Sequence, residues 1–359
     1  MTTMDLNTSL LEVLAHPVGR NLLTKYLPQV AGNEDLRDMS LAALTDLLPE
    51  EAEALLRMLP AQCNAYQGHA QVPAKDYYEL IPIMEGVWRL YSPEDVWMEL
   101  IVGRDHALLL DTGYGYGDIS AAVQKVTDKP LIVVNSHGHV DHACGNCQFG
   151  LPIYIHPKDM ELCRRMNGRE TRQRSLEIAE HSYDYYSGET YSALPVDFDR
   201  EAYLSADAGN LVPVEEGHVF DLGGVRLEVI ALPGHTPGSI GLLDRERRLF
   251  FVGDAINSYL WLFMPEALTL SDYKATLAKA EKLDFDRMFQ AHNLRVESKG
   301  VLKYYREIAE TLDYEKGEPF QSLLTPGAEA RVCILRGKTL QNFRDPDFAA
   351  IVIGKDHLN

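Results

Sequence analysis

The sequence predicts an α/β protein built in layers, preceded by a small all-helical module. Three observations predict it. Residues 1–65 carry leucines at helical spacings and almost no strand signal. From about Tyr78 onward, short apolar runs alternate with helical stretches. Two of those runs end in an aspartate, "LLLDTG" and "FFVGDA", so the second half of the chain reads as an echo of the first.

In the helical module, Leu10, Leu11, Leu14, Leu22, Leu23 and Leu27 recur mostly at helical spacings, with Pro17 and Pro28 as breaks. Ser40 stands where a further helix needs its N-cap. Packing or homo-oligomer formation is the expected role of this module. A main domain is expected over residues 75–315. There "VWRLY", "DVWMELIVG" and "HALLLDTG" read as successive strands, Ile119 to Val126 as a helix, and "PLIVVNSH" and "PIYIH" as strands. Further on, "HVFDLGGVRLEVIAL" reads as a hairpin about Gly223 and Gly224, followed by strands "GSIGLLD" and "RLFFVGD". Ser271 to Leu283 reads as a helix, "FDRMFQAH" as a strand and "VLKYYREIAETLDYE" as a last helix. Residues 159–214, with Tyr183, Tyr185, Tyr186 and Tyr191, form a lid-like insertion in this reading. Residues 316–359 are a C-terminal extension.

Composition narrows the function classes. A formal net charge of −19 favours solubility and argues against a nucleic-acid partner. The single basic cluster, "CRRMNGRETRQR" from Cys163 to Arg174, reads as a solvated helix face. No apolar run approaches the roughly 18 residues of a membrane span, so no membrane partner is expected. The first residues lack a basic segment followed by an apolar core, and five cysteines suit a reducing compartment; a cytoplasmic location is expected. In "CGNC", Cys144 and Cys147 read as two small buried thiols.

The chemistry concentrates in "SHGHVDH", which gathers His137, His139, Asp141 and His142 just after an apolar strand. His137 and His139 alternate by two and can share a direction. Imidazoles and a carboxylate are suitable ligands for zinc or a similar divalent ion. Three more fragments point the same way. "LPGHTPGS" holds His235 in a turn stiffened by prolines and glycines, "FFVGDA" ends a strand on Asp254, and "FQAHN" ends another on His292. A carboxylate such as Asp254 is costly to bury without a cation or hydrogen bonds.

This order of HxHxDH, His, Asp and His resembles the metallo-β-lactamase fold superfamily over about Tyr78 to Glu310. The resemblance implies a four-layer αββα sandwich with two divalent metal ions at one edge. Zinc leads, and iron or manganese also suits such ligands. By position, His137, His139 and His235 would bind the first ion. Asp141, His142 and His292 would bind the second, Asp254 would bridge the two, and Asp111 would brace the site by hydrogen bonding. Two ions side by side acidify a shared water and direct it at a carbonyl or phosphoryl centre, with Asp141 as the catalytic group that orients it and takes its proton.

The expected activity is hydrolysis of a small-molecule ester, thioester, lactone or phosphodiester. The alternative is a mononuclear-iron oxidoreductase resembling a persulfide dioxygenase. The complete second ligand set favours the hydrolase. A glutamate typically replaces the residue at His139 in the flavodiiron branch, so oxygen reduction is disfavoured. After Asp254, "INSYLWLFMPEAL" offers Tyr259, Trp261, Phe263 and Met264 as an apolar pocket wall or as core.

Overall fold

The computed structural model describes residues 4–67, 72–183, 190–293, 295–322, 325, 327–340, 345 and 347–359. The front of the chain is helical: α1 (Leu10–Ala15), α2 (Pro17–Tyr26), α3 (Pro28–Ala31), α4 (Leu41–Thr45) and α5 (Glu50–Gln67). Ser9 opens α1 with a capping box to Glu12, and Ser40 caps α4 by accepting the amide of Ala43. Pro17 and Pro28 sit in the first turns of α2 and α3, where the missing N–H costs nothing.

The first sheet holds β1 (Glu79–Met84), β2 (Val87–Ser92), β3 (Val96–Val102), β4 (Ala107–Leu110), β5 (Leu131–Val134) and β6 (Pro152–Ile155). A two-stranded ribbon, β7 (Ser182–Tyr183) with β8 (Thr190–Tyr191), stands apart, and β9 (Asn210–Pro213) joins the far edge of the first sheet. β1 to β4 form an antiparallel meander; β4, β5, β6 and β9 run parallel. The second sheet has the order β10 (Val219–Asp221), β11 (Arg226–Ala231), β12 (Ile240–Asp244), β13 (Leu249–Gly253), β15 (Arg287–Gln290) and β16 (Glu297–Ser298).

Strand alternation builds the layers. In β4, Leu108 and Leu110 face the core shared with the second sheet, while Leu109 faces outward with Met98 and Leu100. There it packs against α6 (Ile119–Gln124) and α9 (Arg169–Ala179) through Ile119, Ala122 and Leu176. In β13, Leu249 and Phe251 point to the shared core. Phe250 and Val252 point out to α11 (Leu270–Ala280) and α12 (Leu302–Thr311). The architecture is thus helix, sheet, sheet, helix. The N-terminal helices belong to the same core: Leu10, Leu23, Leu56 and Leu59 cluster with Trp97, Ile81 and Phe251.

Two regions hold more than the sequence suggested. Residues 159–214 contain α8 (Met160–Met166), α9, α10 (Arg200–Ser205) and β9, so one strand of the segment extends the first sheet. Tyr191 packs half-buried on the outer core, while Tyr185 and Tyr186 lie outside the described residues. The last segment supplies β17 (Glu318–Phe320), β18 (Ala330–Ile334) and β19 (Ala350–Gly354). They form a third sheet with β14 (Tyr259–Leu262), whose four residues pair in parallel with Ala350 to Ile353. Among the described residues no helix is long and apolar enough to cross a membrane.

Candidate metal centre

The candidate ligands stand in the loops, turns and short helix that follow strand ends. β5 ends at Val134, and the chain turns through His137 and His139 into α7 (Val140–Ala143), which carries Asp141 and His142. Gly138 separates the two histidines because a Cβ there would meet the backbone of Cys163 and Asp159 at 2.8 and 2.9 Å. His235 sits in the turn before β12, Asp254 directly after β13, and His292 two residues past β15.

The structure brings all seven together in two sets, each with ligand atoms within 4.8 Å of one another. In the first, His139 Nδ1 lies 3.0 Å from His137 Nε2 and 2.9 Å from His235 Nε2. In the second, His292 Nε2 lies 3.2 Å from both Asp141 Oδ2 and Asp254 Oδ2, and His142 Nε2 lies 3.4 Å from both. Asp254 Oδ2 is also 3.8 Å from His235 Nε2, so it stands between the sets.

The far nitrogen of every ring is tied outward. His142 Nδ1 donates to Asp111 Oδ2 at 2.8 Å, and Asp111 also accepts the Ser136 amide and hydroxyl, both at 2.7 Å. Asp111 holds this position with a φ of +67°, a conformation aspartate tolerates better than most side chains. His137 Nδ1 lies 3.0 Å from Ser136 Oγ. His139 Nε2 donates to Glu266 Oε1 at 2.7 Å, His235 Nδ1 to the Trp261 carbonyl at 2.9 Å, and His292 Nδ1 to the Asp95 carbonyl at 3.1 Å. Outward hydrogen bonds of this kind fix ring orientation and tautomer.

Electrostatics fit a cation. Burial, then the neighbouring imidazoles, hold His137 well below its ordinary value; burial and His139 push His235 down to about 4. Both rings therefore stay neutral and keep a lone pair to give. Burial alone would raise Asp141 and Asp254. The facing His142 and His292 outweigh it and hold both carboxyls well below the carboxylate range. Conversely, burial would lower His142 and His292, and the aspartates raise them instead. Asp254 Oδ1 and His142 Nε2 are buried without a hydrogen-bond partner. Buried orphans of this kind in a nitrogen-and-carboxylate donor set fit metal ions.

Two acids that the sequence reading missed hold this frame. Asp159, fully buried, accepts the Gly138 amide at 3.0 Å, the Thr236 hydroxyl at 2.6 Å and the Gly238 amide at 2.6 Å. It thereby ties the loop of His137 and His139 to the loop of His235. Burial raises its carboxyl above the ordinary value, against the pull of those bonds. Glu266 is the other. Burial works to raise it, but the bond to His139 and the charge of Arg165 hold it below. Its only sequence signal was an acid inside the apolar stretch "LFMPEAL".

The two sets open into a cavity of about 730 Å³. Tyr259, Trp261 and Met264 line it as one wall, whereas Phe263 does not. Phe263, one residue past the end of β14, is 5% exposed and packs on Trp261 and Phe320. The basic cluster is a solvated face only in part: Arg164 and Arg169 are exposed. Arg165 and Arg174 line the cavity, and Arg172 is fully buried, bonded to the carbonyls of Cys144 and Asn167. Cys144 is buried but Cys147 is exposed, so only one of the two thiols packs inside. Tyr114 and Glu94, unmarked in the sequence, also face the cavity.

An αββα sandwich with histidine and aspartate donors at its strand ends defines a class of metal-binding protein. The metallo-β-lactamase superfamily model matches residues 92–292, more than half of the chain, and the chain belongs to that superfamily. Among curated proteins, acyl-coenzyme A thioesterase MBLAC2 of Homo sapiens is 26% identical over 214 residues, 56% of this chain and 72% of that one. Hydroxyacylglutathione hydrolase GloC of Haemophilus influenzae is 25% identical over 162 residues, 42% of this chain and 61% of that one. Among solved structures, the sec-alkylsulfatase Pisa1 from Pseudomonas sp. aligns with a TM-score of 0.50 at 17% identity. It covers 87% of this chain and 55% of that one, a likeness of fold.

Proposed function

We propose that the protein is a binuclear metallohydrolase acting on a small-molecule thioester, within the wider range of esters, lactones and phosphodiesters that such a site can cleave. The observation that carries this reading is the convergence of seven donors into two sets with Asp254 between them, at the floor of a substrate-sized cavity. His137, His139 and His235 would hold one ion, Asp141, His142 and His292 the other, with Asp254 shared and zinc the favoured metal. Bound ions supply an acidified water and polarise the substrate carbonyl.

The chain's own groups do the rest. Asp141, partly open to the cavity, is placed to take the proton of the attacking water and to keep the water oriented. Tyr114 stays protonated, since burial and then the charge of Asp141 push its hydroxyl well above the ordinary value; it offers a donor to the substrate. The wall of Tyr259, Trp261 and Met264 favours an apolar acyl part, while Arg165 and Arg174 meet the polar remainder. A thiolate, with a thiol pKa near 8.5, leaves without needing a proton donor. The two curated relatives are named for thioester hydrolysis, which supports this choice over the other esters.

The test is metal content followed by a substrate panel. Protein purified without chelators should carry about two equivalents of metal and release thiol from an acyl-coenzyme A or acylglutathione, measured with a thiol-trapping dye. One equivalent of iron with oxygen uptake would replace this reading by a dioxygenase. Turnover of a lactone or phosphodiester in place of thioesters would move the substrate assignment.

A further inference from the structure

We infer that Glu266 is a positioning residue for the first metal set and that Arg165 locks it in place; the inference rests on the binuclear reading above. A neutral imidazole carries one N–H, and the nitrogen that keeps it cannot be a ligand. Glu266 Oε1, 2.7 Å from His139 Nε2, holds the proton on Nε2. Nδ1 is thereby left bare, and it is Nδ1 that faces His137 Nε2 and His235 Nε2 at 3.0 and 2.9 Å. The remaining oxygen of Glu266 accepts from Arg165 Nη2 at 2.9 Å, so the carboxylate cannot swing away without breaking a second bond. Glu266 and His139 are almost fully enclosed, with side chains 9% and 8% exposed, and Arg165 caps them from the cavity side.

The two partners come from parts of the chain far apart in sequence. Glu266 follows β14, and Arg165 lies on α8 in the 159–214 segment. The contact therefore reaches the metal set from outside the HxHxDH motif. His137, by comparison, is held only by its neighbour Ser136, and His235 by a backbone carbonyl. Among the three rings of the first set, His139 alone relies on a charged side chain for its tautomer.

The experiment uses the full chain stripped with a chelator, dialysed, and titrated with Co²⁺ against a chromophoric competitor that resolves two affinities. Glu266→Ala should weaken one of the two sites by about 10- to 100-fold, the usual cost of losing such an outer partner, and leave the other within threefold. Glu266→Gln, whose amide oxygen still accepts the Nε2 proton, should recover most of that loss. Arg165→Met should weaken the same site two- to fivefold. The melting temperature of the metal-free variants should match that of the parent, which a merely structural role would not give. Two unchanged affinities in Glu266→Ala, equal losses at both sites, or a Glu266→Gln as damaged as the alanine would overturn the inference while the binuclear reading stands. If Glu266→Ala does not fold, the glutamine and methionine variants decide. A parent chain that takes up no Co²⁺, or one equivalent only, overturns both.

Discussion

Replacing Asp159 by alanine tests whether the two loops that carry His137, His139 and His235 are held by one carboxylate. Three donors aim at it: the Gly138 and Gly238 amides and the Thr236 hydroxyl. The hydroxyl has a second acceptor within reach, Ser239 Oγ at 2.7 Å, so its loss is partly made good. The two amides have no such alternative, and a buried donor left unpaired costs about 1–3 kcal/mol. Against this, burial already raises the Asp159 carboxyl, and removing it relieves that desolvation cost. A water entering the vacated space would also serve one amide. The net expectation is a loss of about 3 kcal/mol, a large part of the 5–15 kcal/mol that holds an ordinary domain together. The assay is urea unfolding of chelator-treated protein, followed by circular dichroism. With a slope near 3 kcal/mol/M the midpoint should fall by about 1 M without a change in slope. Thr236→Val, which removes only the hydroxyl, should cost about 1 kcal/mol or less. A loss below about 1 kcal/mol in Asp159→Ala, or a valine variant equally damaged, would refute the strap.

Four other changes extend the reasoning. Arg89 is fully buried, pairs with Glu99 at 3.2 Å and donates to the carbonyls of Gln290 and Asn293; Arg89→Met should cost about 3–5 kcal/mol by chemical denaturation, and adding Glu99→Gln should return part of it. Glu94 is pushed by burial from 4.5 up to about 7, so the stability it gives is full below 4.5 and lost as pH rises through 7. Parent stability should thus fall relative to Glu94→Gln between pH 5 and 8, by on the order of 2–3 kcal/mol; a constant gap would count against the raised value. His137→Ala should abolish turnover and lower metal content while the far-ultraviolet spectrum stays unchanged, and undiminished turnover would sink the metal assignment. Trp261→Ala should cut kcat/KM about 10- to 100-fold for a long acyl chain but little for an acetyl group. Because His235 bonds to the Trp261 carbonyl and not its ring, metal content should not change.

The candidate ligands were legible because each breaks a local pattern. His137, Asp254 and His292 are polar groups at the ends of apolar strands, where only a shared task explains them. The layered fold was legible from the same alternation, since the two-residue period in "ALLL" and "LFFVG" assigns one face to each side of a sheet. What stayed hidden depends on contacts between distant segments. Asp159 begins "DMELC" and reads as an ordinary helix start, yet its side chain caps no helix and reaches Gly238, 79 residues away. Arg165 on α8 and Arg172 and Arg174 on α9 share one charged stretch, but Arg172 turns into the interior while Arg165 and Arg174 meet the cavity. Nothing in the residue types separates them. Phe263 and Trp261 are equally apolar and both pack on Phe320 from the last segment, yet only Trp261 lines the cavity.

That last segment bears on the site more than its place in the chain suggests. Five rings are tied at their far nitrogens, and two of the five partners, the Trp261 carbonyl and Glu266, lie on or just after β14. β14 is not part of either main sheet. It is held along its full length by β19, with Val352 opposite Trp261 and Ile353 opposite Leu262. An isolated strand has no hydrogen-bond partners of its own, so the direction of that carbonyl is set by residues 350–354 and the β18 strand behind them. The orientation of His235 in the first candidate set therefore depends on a sheet built largely from sequence beyond the region that matches the superfamily model. The strand ends supply the donor atoms; the third sheet fixes how one of the three imidazoles in the first set, His235, is turned.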